Sequence, residues 1–297
     1  MKEIQTLKWS VERRFEFIEW RLYWAGRVNR SDVEDKFDVS TPQATNDFRA
    51  YQELHPENIF YAPSERSYLP TEHFKPAYLP LSADRYLLQL DAILNGAIAP
   101  SVTWFGSVPP ATVVEDIVRS VRPATLRSIL RAIEQQHELR IDYQSLTKRS
   151  DRVIAPHAIA FDGHRWHARA WCAKNREFRD FVLSRIVDIA PRTQPSASNP
   201  NHDREWTTFV ELKIIPHPKL SEAQKNAIAL DYGLQDGFRY VKTRAALAFY
   251  LIKSFNLDLR EGQISPERQQ ICLENYDEVE ATRARAKEEA RSISSPT

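Results

Sequence analysis

Glycine is scarce in this chain, which has only seven among its 297 residues. No two of the seven stand in a G-x-G relation. Dinucleotide-binding loops and P-loops need closely spaced glycines, because the backbone there must approach a phosphate without an intervening Cβ. The sequence therefore excludes both kinds of phosphate-binding loop.

Cysteine and long apolar runs are also scarce. Cys172 and Cys272 are the only two cysteines, and they cannot form a C-x-x-C pair. This argues against a zinc ribbon, a redox dithiol and a disulfide scaffold. No apolar run approaches the ~20 residues of a membrane helix, and residues 1–11 carry charges where a signal peptide has an apolar segment. We therefore expect a cytoplasmic protein without a membrane partner.

The chain has almost no net charge, with 41 basic and 40 acidic side chains. That balance excludes a protein that coats nucleic acid by charge alone. The charges are nevertheless uneven: residues 1–80 carry 11 basic and 13 acidic side chains, whereas residues 125–195 carry 13 and 8. The basic excess lies in one segment, where it indicates an anionic partner.

Residues 10–69 show the element order of a winged helix-turn-helix. Apolar residues recur at helical spacing over 10–28, 30–37 and 41–54, with a three-residue turn before the third helix. Pro42 stands in the first turn of that helix, where its missing N–H costs nothing. Two short strands, at 59–61 and 67–69, would form the wing. This order predicts that the third helix binds DNA.

The outward face of the third helix is the predicted reader of bases. Ala44 and Phe48 lie on its apolar face, so the amide and guanidinium side chains opposite them face outward and can pair with base edges. The alternative is an ordinary exposed polar face. Because residues 1–80 are slightly acidic, we expect modest non-specific affinity and specificity from base contacts. The predicted DNA contacts are Ser40, Thr41, Gln43, Thr45, Asn46, Arg49, Ser64 and Arg66.

The middle of the chain reads as a connector followed by a small β domain. Residues 78–122 form the expected connector, with amphipathic helices over 82–95 and 111–121. Residues 123–193 begin with a helix and continue as closely spaced short strands, a pattern typical of a small β-barrel. The predicted helix is 126–136, and the predicted strands are 139–145, 153–161, 164–173 and 178–186.

The last third of the chain reads as a small α+β domain. A linker over 193–206, rich in proline, serine and asparagine, precedes it. Residues 207–284 alternate strand and helix patterns, and we expect residues 285–297 to be a disordered charged tail. With the winged helix over residues 1–77, the sequence predicts an α+β multidomain protein.

Basic residues alternate along the third strand of the predicted barrel, and others follow on the next strand. Guanidinium groups bind phosphate through two hydrogen bonds, so these side chains are candidate ligands for an anion. They are Arg165, His167, Arg169, Arg179 and Arg185. The alternative is that the arginines pair with Asp142, Asp180 and Asp188 on a solvated sheet face.

Two catalytic readings of this region have weak geometry. His164 and His167 are three apart on a strand, so they point to opposite faces and make a poor metal site with Cys172. Ser145 and His157 lack a third orienting group and an oxyanion loop. We therefore expect no metal, no cofactor and no catalytic residue.

The same region resembles the WYL domain. The resemblance rests on Pro156-His157, Arg165-Trp166-His167-Ala168-Arg169-Ala170-Trp171-Cys172, Phe178-Arg179-Asp180-Phe181 and Leu183-Ser184-Arg185-Ile186. Proteins of this family join a winged helix-turn-helix to an Sm-like (SH3-like) β-barrel and a C-terminal extension, which is the order found above. The segment Thr41-Pro42-Gln43-Ala44-Thr45-Asn46-Asp47-Phe48 and the overall layout are most similar to regulators of phage-defence islands of the BREX and CBASS type.

The resemblance implies a homodimeric transcriptional repressor that binds an inverted-repeat operator and responds to an anionic nucleotide or nucleic-acid effector. The C-terminal α+β domain would then serve dimerisation. The ligand residues that it implies, together with the basic residues of the strands, are Tyr143, Ser145, His157, Arg165, His167, Arg169, Arg179 and Arg185. Two alternatives stay open at this point: a nuclease or nucleotide hydrolase that uses the barrel, and a module that only captures single-stranded nucleic acid.

Overall fold

The structure is a computed structural model that describes residues 8–114, 117, 119–196, 198–259 and 262–294. The chain divides into two compact units, residues 1–117 and 118–297. Among the described residues, no helix is both long and apolar enough to cross a bilayer.

The first unit contains a helical triad, a two-stranded wing and a fourth helix. Its elements are α1 (Trp9–Ala25), α2 (Arg30–Phe37), α3 (Thr41–Leu54), β1 (Ile59–Ala62), β2 (Ser67–Pro70), α4 (Ala83–Leu94) and a 3-10 turn (Pro100–Val102). The predicted second and third helices are confirmed. The first ends earlier than predicted, because Gly26 adopts φ 69° and donates its N–H to the carbonyl of Leu22.

Sequence-local signals explain why these helices begin where they do. Asn29 caps α2 in a capping box: its side chain accepts the N–H of Asp32, whose carboxylate accepts the N–H of Asn29. Ser40 caps α3 by accepting the N–H of Gln43. Both caps are encoded by residues adjacent to the helices, so the helix-turn-helix could be predicted closely.

The predicted connector does not stand apart from the winged helix. Leu79 and Trp104 are buried in the same apolar cluster as Phe15, Trp20 and Phe48. Residues 83–94 form the expected helix, but the described residues of the second predicted helix (111–114, 117 and 119–121) are not helical. Residues 115, 116 and 118 of that prediction lie outside the described part of the chain.

The second unit starts with α5 (Pro123–Gln135) and an antiparallel five-stranded sheet. Its strands are β3 (His137–Gln144), β4 (Arg149–Phe161), β5 (Trp166–Cys172), β6 (Glu177–Val182) and β7 (Ile186–Pro195), in the order β6-β5-β4-β3-β7. The four predicted strands are found, with shifted ends. The strand β7 was missed, because its second half carries the proline and polar residues that indicated a linker.

The sheet differs from the expected barrel. β6 and β7 stand at opposite edges of the strand order, so the pairing among the described residues does not close a barrel. The 3-10 turn Leu183–Arg185 separates β6 from β7, whereas the sequence predicted that the strand of β6 continues to Ile186. One face of the sheet packs on α5 through a core that includes Ile129, Ile141, Ala168 and Ala170.

The C-terminal part of this unit has a three-stranded sheet covered by helices. Its elements are α6 (Arg204–Thr207), β8 (Phe209–Pro216), α7 (Glu222–Tyr232), β9 (Arg239–Arg244), α8 (Ala245–Ser254), α9 (Pro266–Gln269), β10 (Ile271–Leu273) and α10 (Tyr276–Ser294), with sheet order β10-β8-β9. The expected disordered tail is wrong as far as Ser294. Ala286 and Ala290 are buried on one face of α10, four residues apart, so packing holds this charged helix in place.

Candidate nucleic-acid interface and effector groove

The helix α3, which we call the recognition helix, presents its polar face to solvent as predicted. Ala44 and Phe48 are fully buried, whereas Gln43, Asn46 and Arg49 are exposed. The apolar residues lock the helix onto α1 and the wing, so the exposed side chains project from a fixed platform. Such a platform can place amide and guanidinium groups against base edges.

Hydroxyl groups at the start of α3 already have partners. Ser40 uses its Oγ to accept the N–H of Gln43 at 3.4 Å. Thr45 donates its hydroxyl to the carbonyl of Thr41 at 2.8 Å, and the guanidinium of Arg30 on α2 donates to the same hydroxyl at 3.5 Å. These bonds fix the N-terminus of α3, where a phosphate would meet the positive end of the helix dipole.

A buried ion pair joins the recognition helix to α1, and sequence reasoning missed it. Arg14 donates Nε to Oδ2 of Asp47 at 2.6 Å and Nη2 to Oδ1 at 3.0 Å. Both residues are buried, and Gln43 also donates its amide to Asp47 at 3.0 Å. The amide of Gln43 is thus held against the protein, while Asn46 keeps its side chain on the exposed face.

The wing carries the predicted Ser64 and Arg66 at its exposed tip. The turn is closed by the N–H of Glu65 on the carbonyl of Ala62 and by the N–H of Arg66 on that of Pro63. Arg66 adopts φ 51° in this turn. The wing therefore holds a cation at the position where such domains touch the DNA backbone.

Part of the acidity of residues 1–80 is internal. Glu19 is fully buried, where it accepts the hydroxyl of Tyr51 and the backbone N–H groups of Ala77, Tyr78 and Leu79 at 2.7–2.8 Å. Asp32 and Asp47 are likewise paired with arginines of α1. Other carboxylates of the segment, including Glu12, Glu53 and Glu65, are exposed. The positive charge of Arg30, Arg49 and Arg66 is therefore a local feature of α2, α3 and the wing.

Lys36, a cation of α2, is engaged within the first unit. It donates its ammonium to the carbonyls of Ser101 and Thr103 at 2.9 and 2.8 Å. Burial, helped by the charge of Arg13, lowers the pKa of this ammonium. The side chain supports the fold and is poorly placed to bind a phosphate.

In the second unit, Arg169 is the centre of a buried network. It donates Nε and Nη2 to the two carboxylate oxygens of Asp203 at 2.7 and 2.9 Å. It also reaches Glu205 at 3.0 Å and Asp180 at 3.3 Å, and His157 shares Asp203 at 2.9 Å. Asp203, which sequence reasoning had placed in a linker, is fully buried and caps α6.

The electrostatics of this network favour charged forms. Burial alone would lower the pKa of Arg169, but the hydrogen bonds from Asp203 and the nearby carboxylates outweigh it and raise the pKa. Burial alone would raise the pKa of Asp203, yet its bonds with Arg169 and His157 lower it. Arg169 is therefore a structural cation, neutralised by its own carboxylates, and the alternative of aspartate pairing is correct for Asp180.

Arg165 and His167 form a second cluster, which Tyr250 links to the first: its ring lies 5.1 Å from that of His167, and its hydroxyl donates to Asp180 at 3.0 Å. Arg165 donates to Asp162 at 3.1 Å, and Nε2 of His167 lies 2.8 Å from the same carboxylate. Burial alone would raise the pKa of Asp162. The hydrogen bonds from His167 and from the backbone of His164 and Arg165 outweigh burial, so the pKa lies below its ordinary value. These groups position the β4–β5 turn.

The remaining predicted ligand residues are scattered. Tyr143 is buried, and its hydroxyl accepts the N–H of Val182. Ser145 lies in the β3–β4 turn, where it donates to the carbonyl of Lys148. Arg185 lies on the 3-10 turn. The predicted set therefore does not form one site.

Arg179 does not lie opposite Arg169 across the strand pair. In the strand register it lies opposite Ala170, whereas Asp180 lies opposite Arg169, and directly opposed residues share a face of the sheet. The guanidinium of Arg179 pairs with Glu177. Cys172 and His167 do not face a common metal site. Cys172 is buried in the apolar core, and Nε2 of His167 faces Asp162.

One groove of the second unit does collect cations. It has a volume of about 340 Å³ and lies where β6, α8 and α10 meet. Five basic and three acidic side chains line it, together with three aromatic rings. The basic residues are Arg169, Arg179, Arg283, Lys287 and Arg291, and the aromatic residues are Phe178, Phe249 and Tyr250. Three of these cations come from α10, the helix that sequence reasoning took as a domain end and a disordered tail.

A larger cavity of about 640 Å³ lies beside His137 and His157. Its described lining includes no arginine or lysine, so it matches an anion less well than the groove does.

Comparison with known proteins identifies the domains. Residues 10–92 match the BrxR transcriptional regulator winged helix-turn-helix domain, residues 124–191 match the WYL domain, and residues 209–279 match the BrxR transcriptional regulator C-terminal dimerization domain. These matches confirm the resemblance seen in the sequence.

Full-length relatives agree with the domain matches. The chain is 39% identical to the DNA-binding transcriptional repressor CapW of Escherichia coli (strain KTE188), over 93% of both chains. It is 36% identical to CapW of Stenotrophomonas maltophilia, over 92% of both chains, and 36% identical to CapW of Pseudomonas aeruginosa, over 93% of this chain and 92% of the relative. The family is one of regulators and not of enzymes. On this evidence, the chain belongs to the CapW family of DNA-binding transcriptional repressors.

Proposed function

We propose that this protein is a transcriptional repressor that binds an inverted-repeat operator as a homodimer and is controlled by an anionic effector. The observation that carries the DNA-binding part is the exposed polar face of α3, held rigidly by the buried Ala44 and Phe48. Asn46 and Arg49 would read base edges in the major groove, and Arg66 would bind the backbone from the wing.

The homodimer would form through the C-terminal domain. The matching family description names this region a dimerization domain. Its three-stranded sheet ends in the edge strands β9 and β10, and Phe209 and Tyr240 expose about half of their surface on or beside it. Two-fold symmetry then predicts operator half-sites one or two helical turns apart, each turn being roughly 10 bp.

The effector would bind in the basic groove of the second unit. Cations that can hold phosphates stand beside aromatic rings that can stack on bases, the combination that recognises nucleotides and single-stranded nucleic acid. Lys287 lies at this groove, as does Arg179, which pairs with Glu177, while Arg169 is already neutralised by three carboxylates. The groove thus replaces the scattered residue set expected from the sequence.

Two finer points belong to the same proposal. The sheet order, and the irregular register at Pro156 and Ala158 in the 13-residue strand β4, support an Sm-like curl of the WYL domain. The relationship to CapW supports control of a phage-defence operon in the cytoplasm.

The DNA-binding part is tested by titrating the full-length protein with DNA from upstream of its own gene. We expect a shifted complex on an inverted repeat at low salt, protection of two half-sites, and a dimer mass by light scattering. Loss of binding in Asn46→Ala, with the dimer mass retained, would support the assignment of α3. A protein that shifts none of its upstream inverted repeats would refute the repressor proposal.

The effector part has its own test. Short single-stranded DNA and RNA oligonucleotides and mononucleotides are added to the protein–operator complex. We expect at least one of these probes to change operator affinity in the wild type and to have at least tenfold less effect in the double variant Arg179→Gln, Lys287→Gln. Equal responses in the wild type and the double variant, or no response in either, would refute the groove.

A further inference from the structure

The first unit contains a cavity of its own, which is distant in the sequence from the WYL domain. Its volume is about 370 Å³, and it lies between α1, α4 and the segment that follows the 3-10 turn. Cavities of about 300–1,000 Å³ lined by aromatic rings and a few polar groups are typical of small-molecule sites. We refer to it as the tryptophan cavity; its lining residues include Trp20, Arg21, Trp24, Tyr86, Trp104 and Phe105.

The rings form a continuous aromatic wall. Trp20 stacks on Tyr86 with centroids 5.7 Å apart and planes 17° apart. Tyr86 also contacts Trp24 and Phe105, each at 4.5 Å, and Trp104 meets Trp20 edge-on at 5.9 Å. These contacts fix the ring planes, so the cavity is shaped in advance for a flat apolar group.

Two donors at this wall lack partners. The indole Nε1 of Trp24 and the guanidinium Nε of Arg21 are buried, and neither has a hydrogen-bond partner among the described residues. Leaving a buried donor unsatisfied costs about 1–3 kcal/mol. Two such donors lining one cavity are explained if an acceptor binds there.

Two arginines, Arg21 and Arg27, line the cavity, and one of them, Arg21, is paired with Asp32 through its Nη2. No aspartate or glutamate is among the described lining residues of the cavity. The segment at Gly106 presses against the guanidinium, because a Cβ at this position would lie 2.2 Å from Nη1 of Arg21. Glycine therefore permits the close approach that holds Arg21 at the cavity wall.

We propose that the tryptophan cavity binds a small planar aromatic carboxylate of one or two rings. The ring would stack against Trp24 and Tyr86, with the buried Trp20 behind them, and the carboxylate would accept hydrogen bonds from Nε of Arg21 and Nε1 of Trp24. Arg21 also donates Nη2 to Asp32 at 2.8 Å, within the capping box of α2. The bound carboxylate would thus lie one side chain away from the helix-turn-helix.

The test uses the full-length protein and indole-3-carboxylate, with 2-naphthoate as a second probe, in isothermal titration calorimetry. We expect saturable binding with one site per chain. The neutral analogue indole-3-carboxamide should bind at least about tenfold more weakly, because it cannot form charge-assisted hydrogen bonds with Arg21.

Variants separate the cavity from general binding to aromatic surfaces. Trp24→Phe removes the indole N–H and keeps a ring, and Arg21→Lys keeps the charge and the reach to Asp32 but removes Nε. Each should weaken binding about tenfold. Trp9→Phe is the matched control, since Trp9 is 77% exposed and does not line the cavity. This variant should bind the carboxylate with the affinity of the wild type.

Thermal unfolding curves check that each variant folds. If Trp24→Phe does not fold, Arg21→Lys still tests the site. The proposal is overturned if neither carboxylate saturates the protein, if the carboxamide binds equally well, or if Trp9→Phe weakens binding as much as the cavity variants do.

Discussion

Arg14 and Asp47 form a buried two-point ion pair that anchors the recognition helix to α1. The guanidinium meets both carboxylate oxygens, at 2.6 and 3.0 Å, and neither side chain is open to solvent. Because Asp47 lies one residue after Asn46, the pair fixes the part of α3 that carries the exposed polar face. It also explains why this face can be rigid although few of its own side chains pack against anything.

Breaking this pair should destabilise the first unit strongly. Removing one member of a buried ion pair leaves an uncompensated charge and costs about 3–5 kcal/mol. We expect Arg14→Ala to lower the free energy of unfolding by that amount, measured by urea unfolding with tryptophan fluorescence. Arg140→Ala is the control, since it breaks an exposed pair with Asp151. It should leave the unfolding curve nearly unchanged, and equal effects of the two variants would contradict this reasoning.

The two amides of the recognition helix should contribute unequally to operator binding. Gln43 donates its amide to Asp47, whereas Asn46 is exposed on the polar side of α3. A good base contact is worth about 1–3 kcal/mol, so Asn46→Ala should weaken operator affinity roughly 5- to 150-fold for each half-site. Gln43→Ala should have a smaller effect. Fluorescence anisotropy with an operator duplex measures both, and the reverse ranking would show that Gln43 turns outward on binding.

Cations of the first unit should differ in their effect on the salt dependence of binding. Arg66 is exposed on the wing, whereas the ammonium of Lys36 is held by two carbonyls of residues 101 and 103. Each phosphate contact adds about 0.9 to the slope of log affinity against log salt. Arg66→Ala should lower the magnitude of that slope by about 1.8, because the homodimer loses one contact in each protomer, and Lys36→Ala should leave it unchanged. A change of slope for Lys36→Ala would mean that this ammonium leaves the carbonyls to contact DNA.

The helix-turn-helix could be predicted from sequence because its determinants are local. Asn29 and Ser40 stand next to the helices that they cap, and the spacing of Ala44 and Phe48 reports the buried face directly. The exposed face of α3 followed from the same periodicity. Such signals need no knowledge of what lies across the fold.

The partners of the charged residues could not be predicted in this way. Arg169 is bound by Asp203, which is 34 residues away in the sequence and lies in a stretch that reads as a linker. Strand alternation predicts the face of the sheet on which Arg169 lies, but it does not predict which carboxylates bind Arg169 on that face. The missed helix α10 has a similar cause, because its two buried alanines give a weak apolar signal among many charges.

Acid should selectively remove the contribution of Asp203 to stability. Its bonds with Arg169 and His157 outweigh burial and hold its pKa below the ordinary value of about 3.9 in the folded chain. The folded state therefore binds this proton more weakly than the unfolded state does. The stabilisation is fully present above about pH 4 and is lost as the pH falls through the folded pKa.

Asp203→Asn tests that relation, because it removes the charge but keeps the shape. We expect it to lower the free energy of unfolding by on the order of 3 kcal/mol near neutral pH, since Arg169 loses its two-point partner. The difference from wild type should shrink as the pH falls from about 4 toward 3. Asp231→Asn, on the exposed side of α7, is the control and should show little difference at either pH. A difference for Asp203→Asn that persists unchanged at low pH would show that packing, and not the carboxylate charge, holds the β5 strand to α6.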